Sequence, residues 1–141
     1  MTVSPSPLDC KILVADDDEM IRELLGRLLK EAGYTGVEFA VDGATTIRAL
    51  YRAEPHFDLL ILDLDMPGLN GHEVLSWRLK DPHLQLTKVI ILSGLTAARA
   101  RAKPLDGSSL WVEKPFTPAR LLAAVRRSCP GAPSSAPTSR G

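Results

Sequence analysis

The sequence has no long hydrophobic run, no net charge and almost no cysteine. No apolar stretch approaches the ~20 residues that a membrane-spanning helix needs, and residues 1–7 have neither the basic nor the apolar region of a signal peptide. The 17 basic and 17 acidic side chains cancel. Net charge therefore gives no reason to expect direct binding of nucleic acid or of an anionic membrane. These absences predict a cytoplasmic protein.

Cys10 and Cys129 are the only cysteines. They could form at most one disulfide bond, and two cysteines in a chain of this class are expected to be free thiols. Neither has a histidine or aspartate arrangement beside it that indicates a nucleophile. We therefore expect two unpaired thiols and assign them no role.

The length of 141 residues and the 45% share of apolar residues predict one globular domain that buries a proper core. Residues 1–8 are expected to form a flexible lead-in. Pro, Gly, Ser, Ala and Thr dominate the last dozen positions, so residues 129–141 are expected to be a disordered tail or a truncated linker. The folded domain is therefore expected over residues 9–128.

Five strand-then-helix units follow one another without an internal repeat. The predicted strands are residues 11–15, 36–40, 59–62, 88–92 and 110–113, and the predicted helices lie near 20–32, 44–54, 71–79, 96–103 and from 118 onward. The third and fourth strands are apolar throughout, which is typical of parallel strands that are covered on both faces. Right-handed crossovers then predict an α/β fold, a three-layer doubly wound domain around a five-stranded parallel sheet.

Polar side chains follow four of the five predicted strands, at the point where each strand ends. They are Asp16, Asp17, Asp63, Ser93 and Lys114. Because the carboxyl ends of parallel strands lie at one edge of a sheet, we expect these side chains to meet. Clustered carboxylates suit a hard ion such as Mg²⁺, with Mn²⁺ as an alternative. With the ion in place, Asp63 becomes a nucleophile towards a phosphoryl group, whose oxygens the lysine and the hydroxyl can hold.

Over residues 9–128 this pattern resembles the receiver domain of bacterial two-component response regulators, the CheY-like superfamily. The resemblance implies a flavodoxin-like sheet in the order 2-1-3-4-5. It also implies that Asp16 and Asp17 are the acidic metal pair and that Asp63 is the phosphoacceptor and a metal ligand. The backbone carbonyl of Asp65 would be a further ligand of the metal. Asp18 and Glu19 also lie before the first helix, and for these two we favour a capping role.

The resemblance extends to the fourth and fifth strands. Ser93 corresponds to the family's switch hydroxyl, and Trp111 to its aromatic switch residue, although a half-buried packing role for Trp111 stays open. Lys114, Pro115 and Phe116 correspond to the signature that contains the phosphoryl-sensing lysine. In the family the peptide bond between Lys114 and Pro115 is cis, a form that proline tolerates.

The resemblance implies a signalling phosphoacceptor rather than an enzyme, one that assists its own phosphorylation and dephosphorylation. A sensor histidine kinase or a phosphotransfer protein would be the donor. An unknown downstream protein would read the surface formed by the fourth predicted helix, the fifth strand and the last helix. No nucleic-acid or membrane contact is implied, and a homodimer stays open. The chain is expected to be a single-domain regulator or an excised receiver.

Two departures and two alternatives accompany this interpretation. The fourth predicted helix is basic and alanine-rich, and residues 104–109 replace the family's usual turn, so the output surface cannot be transferred from the family. The motif from Asp63 to Asp65 superficially resembles that of haloacid-dehalogenase phosphatases, with the first as nucleophile and the second as acid-base. That motif normally follows the first strand. An interaction module with a relic site is the other alternative.

Overall fold

A computed structural model describes residues 9–64, 71–93 and 110–129. Five parallel strands form one sheet in the order β2-β1-β3-β4-β5. The strands are β1 (Lys11–Ala15), β2 (Gly36–Ala40), β3 (Leu59–Asp63), β4 (Lys88–Ser93) and β5 (Leu110–Glu113). The predicted fold class and strand order are therefore confirmed.

Helices cover both faces of the sheet. They are α1 (Glu19–Glu31), α2 (Gly43–Arg52), α3 (Gly71–Lys80) and a C-terminal helix (Pro118–Ser128), with a short 3-10 helix at Leu84–Leu86. One apolar core joins α1 and the C-terminal helix to one face of the sheet, and the other joins α2 and α3 to the opposite face. Among the described helices, none has the length and hydrophobicity needed to cross a bilayer.

The strand β3 lies at the centre of the sheet, and all five of its residues are buried. Successive side chains of a strand point to opposite faces. Leu59 and Ile61 accordingly belong to the core beneath α1, whereas Leu60 and Leu62 belong to the core beneath α2 and α3. An unbroken apolar run is what a strand buried on both faces requires.

Local capping sets the starts of the helices. The Asp18 carboxylate accepts hydrogen bonds from the backbone N–H groups of Met20 and Ile21, so its capping role is confirmed. Asp42 and Thr45 form a capping box at the start of α2. Thr117 caps the C-terminal helix, whose first residue is a proline with no N–H to satisfy.

The expectation of two free thiols was wrong. Cys10 and Cys129 form a disulfide bond, with their Cα atoms 5.5 Å apart. The two cysteines are 119 positions apart in the sequence, and only the folded topology brings them together. Several predicted features lie outside the described residues. These are the lead-in 1–8, the Asp65 carbonyl, the helix at 96–103 and residues 130–141 of the expected tail. The first residue of that tail, Cys129, is described and buried in the core.

Candidate functional site

The carboxyl edge of the sheet carries the predicted site residues, and backbone hydrogen bonds continue the strand pairing into the loops. The N–H of Asp16 donates to the carbonyl of Ala40 (3.1 Å), that of Leu64 to Leu92 (3.2 Å), and that of Lys114 to Ser93 (2.8 Å). These bonds fix the backbone directly after β1, β3 and β5. The predicted site residues at these strand ends are therefore attached to backbone that is held by the sheet.

Three carboxylates converge at this edge. Asp16, Asp17 and Asp63 each offer an oxygen atom, and these atoms all lie within 4.8 Å of one another. Asp16 and Asp63 are buried, and Asp17 is exposed. One oxygen of Asp16, Oδ1, accepts a hydrogen bond from the backbone N–H of Asp18 (3.0 Å). The other, Oδ2, is buried and has no hydrogen-bond partner.

Lys114 supplies a positive charge beside this cluster. Its Nζ lies 3.2 Å from Oδ2 of Asp63 and 3.6 Å from Oδ2 of Asp16. Burial lowers the pKa of Lys114, but the negative charges of Asp63 and Asp16 outweigh burial, so its pKa is raised above the ordinary value. The lysine is therefore held in its charged form.

Asp16 titrates unlike an ordinary aspartate. Burial is the main cause that raises its pKa to about 6, and the neighbouring Asp63 charge raises it further, while the N–H of Asp18 and the charge of Lys114 oppose the rise. One ammonium group cannot neutralise three carboxylates. The excess negative charge, the lack of a hydrogen bond to Oδ2 of Asp16 and the all-oxygen donor set fit a hard divalent cation.

The remaining predicted residues lie on β4 and β5. Ser93 ends β4 and is buried, and Trp111 lies in β5, half-buried against the core beneath α2 and α3. The peptide bond between Lys114 and Pro115 is cis. The structure thus brings Asp16, Asp17, Asp63 and Lys114 into one cluster and places Ser93 on the neighbouring strand end.

Two residues have roles at this edge that the sequence did not indicate. The Nη1 of Arg22 in α1 donates to the backbone carbonyl of Asp16 (2.8 Å), a contact that no sequence motif indicates. Gly71 begins α3 and donates its N–H to the carbonyl of Leu64 (2.8 Å). A Cβ at position 71 would lie 2.5 Å from Cα of Leu64 and 2.6 Å from the carbonyl oxygen of Asp63. Only glycine allows the helix to approach the end of β3 so closely.

Comparisons with known proteins agree with this geometry. The family model described as response regulator receiver domain matches residues 12–126. The response regulator MprA of Mycobacterium ulcerans is 37% identical over 120 residues, which are 84% of this chain and 50% of that protein. The chain thus spans about half the length of this curated relative.

Solved structures share the architecture. The chemotaxis response regulator CheY4 of Vibrio cholerae has a TM-score of 0.74 and 30% identity, over 85% of this chain and 98% of that one. The receiver domain of the sensor histidine kinase PA1611 from Pseudomonas aeruginosa, solved with magnesium coordinated in its active site cleft, has a TM-score of 0.73. It shares 21% identity over 85% of this chain and 97% of that one. From its fold, its acidic edge and its match to the family model, the chain belongs to the response regulator receiver domain family.

Proposed function

We propose that the chain accepts a phosphoryl group on Asp63. The observation that carries this proposal is the convergence at one sheet edge of three carboxylates within 4.8 Å of one another and an ammonium group 3.2 Å from Asp63. Members of this family act in two-component signalling as phosphoacceptors rather than as classical enzymes. Membership thus supports a signalling role, and the geometry supports Asp63 as the acceptor.

The metal proposal rests on the same cluster. Asp16, Asp17 and Asp63 would hold Mg²⁺, with Mn²⁺ as an alternative, and the backbone carbonyl of Asp65 would add a ligand. The bound ion would neutralise the carboxylates and the phosphoryl oxygens. Oδ2 of Asp16, which is buried and accepts no hydrogen bond, supports this assignment, as does the magnesium in the PA1611 receiver.

Asp63, Lys114 and Ser93 have separate roles in the proposed phosphoryl transfer. An oxygen of Asp63 attacks phosphorus, and the bond from phosphorus to the donor breaks, with its electron pair leaving on the donor. The product is an acyl phosphate. Lys114, already beside Asp63, then pairs with a phosphoryl oxygen, and the Ser93 hydroxyl donates a hydrogen bond to another. These contacts stabilise the charge that spreads over the phosphoryl oxygens in the transition state.

Phosphorylation would then act as a conformational switch. Ser93 turns towards the acyl phosphate, Trp111 follows into the space that is freed, and the population shifts towards a second arrangement. The surface that changes comprises β5, the C-terminal helix and the segment predicted as a helix at 96–103. A downstream protein reads that surface. The half-burial of Trp111 gives its side chain both a packed side and an exposed side.

The donor would be a sensor histidine kinase or a phosphotransfer protein in the cytoplasm. Exposed apolar side chains of α1, with a groove beside Lys114, give such a donor a surface on which to pack. Met20 of α1 is 77% exposed and Leu24 is 38% exposed. Leu24 also lines a groove with Lys114, Pro115 and Phe116. A donor that packs on this surface presents its phosphoryl group at the carboxylate cluster.

Acetyl phosphate tests the acceptor directly. The wild-type chain is incubated with acetyl phosphate and Mg²⁺, and its intact mass is measured over time. We expect the mass of one added phosphoryl group in the wild type and none in Asp63→Asn. Asp81→Asn is the matched control, because Asp81 follows α3 and pairs with Tyr51 rather than with the cluster. Phosphoryl addition to Asp63→Asn, or none to the wild type, refutes the proposal.

Neither alternative from the sequence gains support. A phosphatase of the haloacid-dehalogenase type carries its nucleophile after the first strand, whereas Asp63 ends β3. A relic site has no need to keep a buried carboxylate oxygen without a hydrogen bond, Oδ2 of Asp16, beside a charged lysine. Turnover of small phosphate esters by the wild type would be the result that favours the phosphatase.

A further inference from the structure

The disulfide bond lies at the amino-terminal end of β1, whereas the carboxylate cluster lies at the carboxyl ends of the strands. Cys10 directly precedes β1, whereas Asp16 directly follows it. Six residues of extended chain span about 20 Å. Cys129 directly follows the C-terminal helix as its C-cap residue. The bond thus joins the first strand to the last helix, away from the proposed phosphorylation chemistry.

Both cysteines belong to the apolar core beneath α1. Cys10 and Cys129 are buried there together with Tyr34, Leu29 and Val125. A reduced cysteine behaves as a small hydrophobic residue, so the core is filled in either redox state. The N–H of Cys129 also donates to the carbonyl of Val125, a bond that does not depend on sulfur chemistry. The fold is therefore complete in both states.

We propose that Cys10 and Cys129 form a reversible redox clamp that ties the end of the C-terminal helix to the start of β1. The oxidant is a low-molecular-weight disulfide, and the reductant is a low-molecular-weight thiol. Oxidation breaks two S–H bonds and forms one S–S bond, while the small disulfide takes up the two electrons and two protons and becomes two thiols. Reduction is the same exchange in reverse.

Burial determines how the small molecules reach the sulfur atoms. Neither cysteine is accessible in the closed fold, so exchange requires the last turn of the C-terminal helix to open. Helix ends fray more readily than the centres of strands. Cys129 lies at such an end, and opening there exposes its sulfur without disturbing the sheet. Exchange is therefore slower than at an exposed disulfide but does not require global unfolding.

The clamp changes the stability of the whole domain. It encloses almost the entire described chain, because its two cysteines are 119 positions apart. Cross-links that close long loops restrict the unfolded chain most. For a domain of this size, the oxidised form should melt about 8–16 °C above the reduced form. The amides of the last turn of the C-terminal helix should also lose hydrogen-exchange protection on reduction.

The test compares the wild-type chain after treatment with oxidised glutathione and after treatment with dithiothreitol. Each sample is unfolded in urea with iodoacetamide and weighed. We expect no alkyl groups on the oxidised chain and two on the reduced chain, and the oxidised state should return when glutathione disulfide is restored. Two alkyl groups after oxidation, or a bond that dithiothreitol cannot open without urea, overturns the proposal.

A double variant, Cys10→Ala with Cys129→Ala, is the matched control. Its melting temperature should not respond to dithiothreitol, whereas that of the wild type should fall. Equal melting temperatures for the oxidised and reduced wild type would overturn the clamp even if the bond forms. Phosphorylation by acetyl phosphate should proceed in both redox states, so the clamp and the phosphoacceptor proposal fail independently.

Discussion

Replacement of Asp16 by Asn should stabilise the metal-free protein at alkaline pH. The pKa of Asp16 rises from 3.8 to about 6, mainly through burial. That rise corresponds to a preference of about 3 kcal/mol for the protonated form in the folded state. Above pH 6 the ionised carboxylate carries this cost, and a neutral amide does not. The amide oxygen can still accept the N–H of Asp18.

The magnitude follows from what the variant gains and loses. Lys114 loses one of its two carboxylate neighbours, which offsets part of the gain. We therefore expect Asp16→Asn to raise the free energy of unfolding by about 1–3 kcal/mol at pH 8 without metal. The free energy of unfolding of the wild type should fall as pH rises from about 4 through about 6, because the pKa of Asp16 is higher in the folded state than in the unfolded state. Below pH 4 the two proteins should be similarly stable.

The assay is urea unfolding between pH 4 and pH 8, with and without Mg²⁺. Added Mg²⁺ should stabilise the wild type at pH 8 by mass action and stabilise Asp16→Asn much less. Asp42→Asn is the control of opposite sign. The N–H of Thr45 lowers the pKa of Asp42. The ionised Asp42 carboxylate therefore stabilises the fold above pH 4, and this stabilisation disappears as pH falls. A less stable Asp16→Asn at pH 8 without metal would refute the reasoning.

Three further predictions concern the lysine, the glycines and the core. Lys114→Gln should slow phosphorylation by acetyl phosphate about 10²-fold, because a donor to the developing charge is lost; an unchanged rate in a mass time course contradicts this. Gly71→Ala should cost about 1–3 kcal/mol in urea unfolding, since its Cβ meets backbone. Gly26→Ala should cost less, because its Cβ meets only the movable ring of Phe39. Equal costs for the two variants would contradict this explanation. Leu60→Ala should cost about 2–5 kcal/mol, as a buried core truncation does, and a melting temperature near that of the wild type would count against it.

The sequence was most informative where a pattern has one physical solution. The apolar run at the centre of β3 requires cover on both faces, and the prediction of a parallel sheet follows from it. The strand ends then bring Asp16, Asp63 and Lys114 to one edge, because parallel strands share an orientation. Bounds were also close, since Asp63 and Ser93 each extend a predicted strand by one residue.

Three contacts that follow from no sequence pattern were not predicted. Arg22 reaches the carbonyl of Asp16 through the geometry of one helix against one loop, and that geometry has no motif. Gly71 is one of ten glycines, and its requirement appears only when α3 approaches β3. The pairing of Cys10 with Cys129 depends on where the start of β1 meets the end of the C-terminal helix. Composition and the expected compartment predicted free thiols at these positions, and that prediction was wrong.

The backbone bond from the N–H of Lys114 to the carbonyl of Ser93 has a mechanical consequence. This bond extends the pairing of β4 with β5 by one step, so the backbones that carry the hydroxyl and the ammonium group are held side by side. A movement that begins where β4 ends is passed directly to the turn after β5 and to the helix that follows it. The backbone thus couples the positions of the two groups that are proposed to bind the phosphoryl oxygens.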